Sequence, residues 1–404
     1  MRFGKYAVVC VVVMLLSGCR PASPTDEWSS IVAPEVLAES SLRYYWKCRV
    51  NMEDDEAVRK IWRLDENIYA LTSANRLIAI DAMRGTYKWS YPVAEASQRV
   101  FAPCHADNVI VPKTTGIAEL VTPDPKNRLE PFNAVIINTI SYAFMINRDT
   151  GKVVRKFDFE FVANTPGSSD GIHFYVASVE GWYHAIRLSE GLCQWTMSTG
   201  DMITATPKVF NDRLYVAGQD GKFYAINPNK AEDRHVWTQS TDAAISADFS
   251  VDERGCFVPS QDYRLYAYDN LTGTELWNFV TEGQLHDPVQ VGLQTVFQYA
   301  RRDRFYAIDL ASGRERWKLP DGRTVLACAK IENQSYAMVL TAGGQLLLVH
   351  EILGKVEKSF PMTGLDLFVA NTVKPVVYAA ATDGKFVCIT PESVKHLTPD
   401  MLKD

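Results

Sequence analysis

The chain has 404 residues, of which 47% are hydrophobic and 22% charged, so it can bury a core and does not have the composition of a disordered chain. Its formal net charge is −6, and no run of Lys and Arg exceeds two residues, which argues against a protein that binds the phosphates of nucleic acids. Aromatic residues make up 11% of the chain, which favours β-structure, because large rings pack well on pleated surfaces.

The first predicted element is a signal segment that does not belong to the fold. Arg2 and Lys5 precede an uncharged stretch, residues 7–16. As a helix this stretch would be about 15 Å long, about half the thickness of a membrane core, so it is too short to span. The tetrapeptide that ends at Cys19, LSGC, resembles the lipobox of bacterial lipoproteins. This resemblance implies that residues 1–18 are removed and that Cys19 carries lipid; the alternative is an ordinary secretory signal with a chance Cys.

Residues 19–40 are rich in Pro, Ser and Ala, which predicts an extended tether between the lipid and the fold. Residue 20 is Arg and not Asp. By resemblance to the sorting rule of enteric bacteria, Arg20 favours the outer membrane, with the body of the protein in the periplasm. The lipid anchor would then be the contact of this protein with the membrane.

Six cysteines lie beyond the signal segment and Cys19, and they are widely scattered: Cys48, Cys104, Cys193, Cys256, Cys328 and Cys388. No two of them have the spacing of a metal site. An oxidising envelope permits disulfides, but scattered Cys among strands are more often small buried hydrophobic residues. The sequence leaves their disulfide state open.

Repeated segments with a pattern close to Ala-Ile-Asp divide the rest of the chain into units. They end at Asp81, Asn147, Arg187, Asn227, Asp269, Asp309, His350 and Thr390. Six of the intervals are 40–42 residues, and the first is 66. An apolar segment and a turn, often Asp-Gly, precede the repeated segment, and a turn and another strand follow it. Four β-segments per unit predict a four-stranded antiparallel blade, and the array of units predicts an all-β, eight-bladed β-propeller.

The turn after the repeated segment has its own pattern, in which Asp, Gly and Trp are spaced four residues apart. Asp can accept hydrogen bonds from the amides of its own turn, and Gly four residues later can adopt the left-handed conformation that a bulged turn needs. Trp would then lie on the outer strand, where its ring can be buried between blades. A structural role is therefore predicted for Asp81, Asp269, Asp309, Gly85, Gly273, Gly313, Trp46, Trp89, Trp195, Trp237, Trp277 and Trp317.

The eighth unit lacks its own outer strand, and residues 42–50, which contain Trp46, are the candidate to supply it. Pairing of the two ends would close one propeller over residues 41–395 and leave 396–404 as a short tail. Seven blades is the alternative if the second unit is misread. That unit contains an insertion, residues 112–133, with four Pro, which is either a functional loop or a tolerated insertion.

The turn pattern also carries a family resemblance. Residues 267–277 match the AxDxxTGxxxW pattern of pyrroloquinoline-quinone-type repeats in full, and residues 307–317 and 79–89 match it with Ser or Arg at the Thr position. With the lipobox, the length and the closing N-terminal strand, the chain is similar to the BamB family of outer-membrane β-barrel assembly lipoproteins. The resemblance implies a scaffold without a cofactor. Its partner would be the barrel-assembly core protein or another envelope protein.

Two other functions stay open. One is a different binding or sensing role on the same fold. The less favoured one is a quinone-dependent dehydrogenase, a class that is usually longer and often has two adjacent Cys, absent here. Residues 167–171 fit the G-x-S-x-G pattern, but an apolar β-like segment follows where a nucleophile elbow needs a helix. The sequence therefore predicts no catalytic residue, no metal site and no cofactor.

Partner contacts are expected on the loops that join the outer strand of one blade to the inner strand of the next. Three of these loops are residues 200–206, 242–248 and 282–287. In the BamB family, the contact with the assembly core combines apolar and basic residues in one such loop with acidic residues in the next. The resemblance implies the apolar pair Met202 and Ile203, without the accompanying Arg, and the acidic residues Asp242 and Asp248; Asp287 in the third loop is a further candidate.

Overall fold

The fold is built from eight four-stranded antiparallel sheets, which confirms the predicted eight-bladed propeller and excludes seven blades. The computed structural model describes residues 28–111 and 130–402. Within these residues the chain forms one short helix, a final 3-10 turn at Pro399–Met401 and thirty-two strands. None of the described helices is both long and apolar enough to cross a membrane.

Blades 1 to 7 each use four strands in chain order from the centre outwards, and blade 8 takes its outer strand from the start of the fold. The chain begins with helix α1 (Pro34–Ala38) and strand β1 (Leu42–Arg49). Blades 1 to 3 are formed by β2 (Val58–Leu64), β3 (Asn67–Thr72), β4 (Arg76–Asp81), β5 (Tyr87–Pro92); β6 (Cys104–Val109), β7 (Phe132–Asn138), β8 (Tyr142–Asn147), β9 (Val153–Asp158); and β10 (Ser168–Ser169), β11 (His173–Ala177), β12 (Trp182–Arg187), β13 (Leu192–Ser198).

The remaining blades repeat this arrangement. Blades 4 to 6 are formed by β14 (Lys208–Phe210), β15 (Arg213–Ala217), β16 (Lys222–Ile226), β17 (His235–Ser240); β18 (Ser250–Asp252), β19 (Gly255–Pro259), β20 (Arg264–Tyr268), β21 (Glu275–Val280); and β22 (Gln290–Val291), β23 (Thr295–Tyr299), β24 (Phe305–Asp309), β25 (Glu315–Leu319). Blades 7 and 8 are formed by β26 (Gly322–Ile331), β27 (Gln334–Thr341), β28 (Gln345–His350), β29 (Val356–Pro361); and β30 (Leu367–Phe368), β31 (Val377–Ala380), β32 (Lys385–Pro391), with β1 as the outer strand.

The N-terminal strand closes the ring, as predicted. Strand β1 pairs antiparallel with β32 from Leu42 opposite Pro391 to Arg49 opposite Lys385. Blade 8 is thus made from both ends of the described chain. The paired residues are more than 300 positions apart in sequence. Their pairing joins the two ends of the array of blades, and so removes the open edges that the array would otherwise expose.

The turn between the third and fourth strands has the geometry that its sequence pattern predicts. In blade 5, Asp269 Oδ1 accepts hydrogen bonds from the amides of Leu271 and Thr272 at 3.0 and 2.7 Å. Gly273 has φ = 76°, and the pairing of β20 with β21 shifts by one residue between Ala267 and Tyr268. The hydrogen bonds of Thr272 lower the pKa of Asp269, because they favour the charged carboxylate.

The outer-strand Trp residues connect neighbouring blades. Trp277 of blade 5 donates from Nε1 to the carbonyl of Leu310 in blade 6 at 2.9 Å. The same bond joins Trp46 to Ala82, Trp89 to Arg148 and Trp317 to Glu351, at 2.8–3.0 Å. Each ring also lies on the turn Gly of the next blade, at Gly85, Gly151, Gly313 and Gly354. The repeat therefore joins each of these blades to its neighbour by a ring contact and a hydrogen bond.

Two interfaces between blades lack this Trp. Between blades 2 and 3, Arg155 takes its place and donates to the carbonyls of Glu190 and Ser189 at 3.1 and 3.0 Å. Between blades 7 and 8, the corresponding residue is Lys358, which is exposed. Here the N-terminal segment covers the interface with Ile31, Val32 and Leu37, which are buried against both blades.

This packed segment differs from the extended tether expected over residues 19–40. Residues 28–40 lie along blade 8: Tyr44 donates to the carbonyl of Val32 at 2.6 Å, and Lys385 donates from Nζ to Ser30 at 3.0 Å. The other end of the chain is also docked, because Leu397 and Leu402 are buried between blades 8 and 1. Apolar residues within a Pro- and Ser-rich composition explain the difference, since they can be buried wherever the fold leaves an uncovered surface.

The core consists of eight clusters of buried side chains, one at each interface between adjacent blades. Successive side chains of a strand point to opposite faces of the blade, and therefore into the two interfaces on either side of it. The six cysteines beyond Cys19 are free thiols, and Cys193 alone among them is exposed. Burial raises the pKa of Cys104 to about 12, so this thiol is protonated at neutral pH.

Candidate functional site

The loops predicted to bind a partner meet on one face of the disc. We call this the apical face; it carries the loops between blades and the turns between the second and third strands of each blade. Thr206 donates its amide to Asp248 Oδ1 at 2.7 Å, and Thr204 donates to the carbonyl of Ser246 at 3.0 Å. The loop after blade 3 therefore contacts the loop after blade 4. The amide of Val289, two residues after the third loop, is 3.4 Å from the carbonyl of Asp248.

The two apolar candidates of the first loop point in opposite directions. Met202 is exposed (41%), as expected for a residue that contacts a partner. Ile203 is fully buried (0%) in the cluster between blades 3 and 4. The prediction of Ile203 as a surface contact is therefore wrong. In this extended loop, neighbouring side chains face opposite sides, and only one of the two can reach solvent.

The three acidic candidates also differ from one another. Asp242 is exposed and forms an ion pair with Arg264 at 3.2 Å. Asp287 is partly exposed and pairs with Arg301 at 2.8 Å. Asp248 is half-buried, and its carboxylate holds the neighbouring loop through the amide of Thr206. Asp242 is thus well placed for a partner, whereas the geometry of Asp248 is that of a structural link.

An exposed apolar patch lies on the apical face of blades 2 to 4. Its five members, which we call the apical patch, are each 39–46% exposed: Ile140, Val162, Val179, Trp182 and Met202. Backbone hydrogen bonds join the loops that carry them, from Ala163 to Ile140 at 2.8 Å and from Val179 to Val162 at 3.0 Å. An exposed group of large apolar side chains is typical of a surface that binds another protein.

Of these five residues the sequence reasoning predicted only Met202, and Trp182 is the largest of the four that it missed. It is the first residue of the third strand of blade 3. Six other blades carry a polar residue at this position: Arg76, Lys222, Arg264, Arg304, Gln345 and Lys385. Blade 2 has Tyr142, and only blade 3 has Trp. An alignment of the eight units would have revealed this exception, because five of the other seven blades have a charged residue at this position.

The charged residues at that position form ion pairs that keep the apical rim polar. Lys385 pairs with Asp383 at 2.5 Å, and Arg76 pairs with Glu56, in addition to the Arg264–Asp242 pair. The Arg76 guanidinium lowers the pKa of Glu56 to about 2, because it stabilises the carboxylate. Trp182 thus replaces a local ion pair by apolar surface. Glu160, Glu180 and Asp201, all exposed, lie in the same loops and give the patch an acidic surround.

Aromatic rings support the patch from below. His184, on the same strand as Trp182, stacks on Phe161 with ring centroids 3.6 Å apart, and Phe161 stacks on Phe159 at 4.9 Å. Burial lowers the pKa of His184 to about 4, so the ring is neutral at pH 7. The neutral imidazole of His184, stacked on Phe161, holds the loop of Val162 against blade 3 without bringing a charge beneath the patch.

One group of metal-ligand types lies on the opposite face, between blades 1 and 2. Oxygen and nitrogen atoms of Asp65, Glu66 and His105 are within 4.8 Å of one another. The Arg148 guanidinium occupies the middle of this group, 2.9 Å from Glu66, 3.0 Å from Asp107 and 2.6 Å from His105 Nδ1. A buried cation already neutralises these carboxylates, so we interpret the group as an ion-pair network that joins the two blades.

The central channel is the place where a quinone and its calcium would be expected in the less favoured enzyme hypothesis. A cavity of about 530 Å³ lies there, with Arg63, Lys208 and Asp248 among its lining residues. Among the described residues that line it, Asp248 supplies the one carboxylate, and it is engaged by Thr206. A calcium ion takes six to eight oxygen ligands, so this lining does not fit a calcium–quinone pair.

Two predicted features lie outside the described residues. The signal segment 1–18 and Cys19 precede Trp28, the first described residue. Of the insertion 112–133, only residues 130–133 are described, and Phe132 begins β7 there. Lipid attachment and a role for the insertion stay predictions.

Comparison with known proteins places these observations in a family. The model of the family described as outer membrane protein assembly factor BamB matches residues 142–234 and 228–393, more than half of the chain. BamB of Bordetella pertussis is 26% identical over 207 residues, which cover 48% of this chain and 51% of that protein. BamB of Kangiella koreensis is 32% identical over 84 residues, 21% of this chain and 20% of that protein. The matched segments thus span about half of these curated relatives or less.

Solved structures agree on the fold. BamB from Moraxella catarrhalis superposes with a TM-score of 0.62 at 15% identity, covering 86% of this chain and 99% of that one. The computationally designed protein Ika8 gives 0.60 at 11% identity, covering 85% and 98%. At such low identity these likenesses concern the fold alone. The family model adds the sequence pattern of the repeats to this fold, and the chain belongs to the family of the outer membrane protein assembly factor BamB.

Proposed function

We propose that this protein is a non-enzymatic scaffold of the cell envelope that assists the assembly of outer-membrane β-barrel proteins by binding another protein of the assembly machinery. Family membership and the names of the two relatives support the process. A closed ring with a core at every blade interface suits a rigid platform, on which the loops supply the contacts.

The apical patch is the observation that carries the proposal. It combines an exposed Trp with aliphatic side chains and Met202, and the exposed Asp242 lies in the next loop between blades. Large rigid side chains of this kind, buried on binding, supply most of the affinity of many protein interfaces. The surrounding carboxylates would favour a partner with a basic rim, because complementary charge raises the rate of association. We infer that the patch contacts the barrel-assembly core protein.

The decisive experiment is capture of the assembly core protein by the purified chain. The wild-type protein should retain it, and Trp182→Lys should weaken capture about tenfold or more, as expected for the loss of one central aromatic contact. Leu353→Lys is the matched control: Leu353 is 71% exposed on the opposite face and should leave capture unchanged. Capture that survives Trp182→Lys would place the contact elsewhere, and absence of capture by the wild type would refute the proposed partner.

We also propose that the chain is anchored by lipid on Cys19 to the outer membrane and faces the periplasm. The LSGC motif after an apolar segment supports the anchor, and Arg20 supports the destination. Mass spectrometry of the native protein should find a mature chain that begins with a lipid-modified Cys19. Cys19→Ala should leave the precursor uncleaved or the protein unanchored. An unmodified Cys19 in native protein would contradict the anchor.

A further inference from the structure

One turn of the apical face holds a bulky residue in a backbone conformation that favours glycine. Tyr263 of blade 5 directly precedes the third strand of its blade and has φ = 70°. In five other blades the residue at this position also has a positive φ, and it is Asn or Gly: Asn75, Gly181, Gly221, Gly344 and Gly384. A left-handed backbone crowds the Cβ atom of an L-residue, so a bulky aromatic residue is strained where glycine is not and asparagine is less so.

The turn requires this conformation but not the side chain of Tyr263. The carbonyl of Tyr263 accepts hydrogen bonds from the amide and Oγ1 of Thr281, at 2.8 and 3.1 Å. In blade 4 the carbonyl of Gly221 accepts the same two bonds from Thr241, at 2.8 and 3.0 Å. Tyr263 is 44% exposed, and its side chain has no hydrogen bond or ring contact with another described residue. Among the described residues, therefore, no contact explains an aromatic side chain in this turn.

Tyr263 lies beside the loops on which the partner contacts are proposed. Its neighbour Asp262 accepts the amide of Asp242 at Oδ2, at 3.0 Å, and its other neighbour, Arg264, pairs with the carboxylate of Asp242. The loop of Asp242 is in turn hydrogen-bonded to the loop that carries Met202. A series of loops bonded to one another therefore leads from the apical patch to Tyr263.

Strained residues persist where the surrounding structure fixes them, and they are concentrated at functional sites. Exposed Tyr is also one of the residue types that contribute most to protein interfaces, because its ring offers a large contact area with few rotatable bonds. We propose that Tyr263 is a second aromatic contact for the barrel-assembly core protein, retained for binding although it strains the turn. The ring would enter an apolar recess of the partner, beside basic side chains that meet Asp242. The inference rests on the proposed function and extends the binding surface from the apical patch to blade 5.

The test compares stability with binding in variants of the full chain. Tyr263→Asn removes the ring and introduces the residue that blade 1 has at this position. Capture of the assembly core protein should weaken about tenfold, as expected for the loss of one aromatic contact. The melting temperature should stay the same or rise, because Asn accepts the left-handed conformation more readily than Tyr. Tyr263→Phe keeps both the ring and the strain, so its capture should stay within about threefold of the wild type.

Gly344→Tyr is the matched control. Gly344 has the same position in blade 7, across the ring from blade 3, with φ = 74° and no described atom within 4 Å of an added Cβ. The variant introduces a strained Tyr away from the proposed binding surface. Its melting temperature should fall while its capture of the core protein equals that of the wild type, so strain and binding are measured separately.

Three results would overturn the inference: undiminished capture by Tyr263→Asn, a lowered melting temperature of Tyr263→Asn, or an equal loss of capture in the Asn and Phe variants. Wild-type protein that does not capture the core protein would refute the proposed partner and this inference together. Loss of capture in Trp182→Lys but not in Tyr263→Asn would refute this inference alone. Sedimentation of the wild type without a partner tests the other occupant, since a dimer that Tyr263→Asn abolishes would assign the ring to a second copy of this chain and contradict the proposal.

Discussion

The ring of Trp277 lies directly on the backbone of Gly313, a residue of the next blade. A methyl group on Gly313 would be 2.6 Å from Cδ2 of the indole, and Gly313 has φ = 68°. Glycine is thus required twice at this position: once for the left-handed turn and once for the approach of the ring. The Asp–Gly–Trp pattern of a single unit therefore describes contacts between two units, since the Trp of the preceding blade lies on the turn Gly at Gly85, Gly151, Gly273, Gly313 and Gly354.

The first prediction separates these two requirements. Gly313→Ala should destabilise the fold by about 2–5 kcal/mol, the sum of left-handed strain and a clash with Trp277. Gly344→Ala should cost only about 1–2 kcal/mol, because Gly344 has φ = 74° but no atom of the described residues lies within 4 Å of the added methyl group. Denaturant unfolding measures both values. Equal losses of stability in the two variants would show that the ring of Trp277 can move aside without a measurable loss of free energy.

The second prediction concerns the two neighbours Met202 and Ile203. Met202→Asp should weaken capture of the assembly core protein and leave the melting temperature unchanged, because the side chain is exposed. Ile203→Asp should lower the melting temperature strongly, since it places a charge in the core between blades 3 and 4. Melting curves and capture assays on both variants test this. A stable, folded Ile203→Asp protein would contradict the buried position.

The third prediction is a pH dependence of stability. The pKa of His184 in the fold is lowered to about 4, whereas an unfolded chain has about 6.5. Between these values the unfolded state takes up the proton first, so the stability present above pH 6.5 decreases as the pH falls towards 4. His184→Phe should keep the stack on Phe161 and reduce the fall in melting temperature between pH 7 and pH 5. An unchanged fall would exclude His184 as its source.

His173 provides the control for this titration. Its hydrogen bond with Asp170 raises its pKa, so its contribution is complete at low pH and is lost as the pH rises through the folded value. His173→Gln should therefore increase the loss of stability on acidification, the opposite of the effect of His184→Phe. The same direction of change in both variants would show that the effect does not come from the individual rings.

The fourth prediction tests the packed N-terminal segment. Leu37 is fully buried at the interface between blades 7 and 8, and Leu37→Ala should cost about 2–5 kcal/mol of stability, as for other buried leucines. Glu35→Ala, an exposed change in the same short helix, should be close to neutral. Denaturant unfolding measures both. A neutral Leu37→Ala would mean that this segment does not stabilise the blade interface.

Much of the fold could be predicted from the repeats. The spacing of the Ala-Ile-Asp segments predicted eight units, and the missing outer strand of the eighth unit predicted the pairing of residues 42–50 with β32. The eight units can be predicted because the same local pattern recurs along the chain. The closing strand can be predicted because the eighth unit is one strand short. The apolar residues of 28–40 escaped the same reasoning because they belong to no repeat, and their burial depends on the uncovered interface at Lys358.

The sequence by itself determined the period, the strands, the turn chemistry and the closure of the ring, because each depends on residues close in the chain or on a pattern repeated eight times. Only the tertiary structure decided that Met202 is exposed and Ile203 buried, since one residue of shift along an extended loop exchanges its two faces. It also decided that Trp182 and Met202 are both exposed on the apical face. These relationships depend on contacts between blades, and no single unit contains both partners.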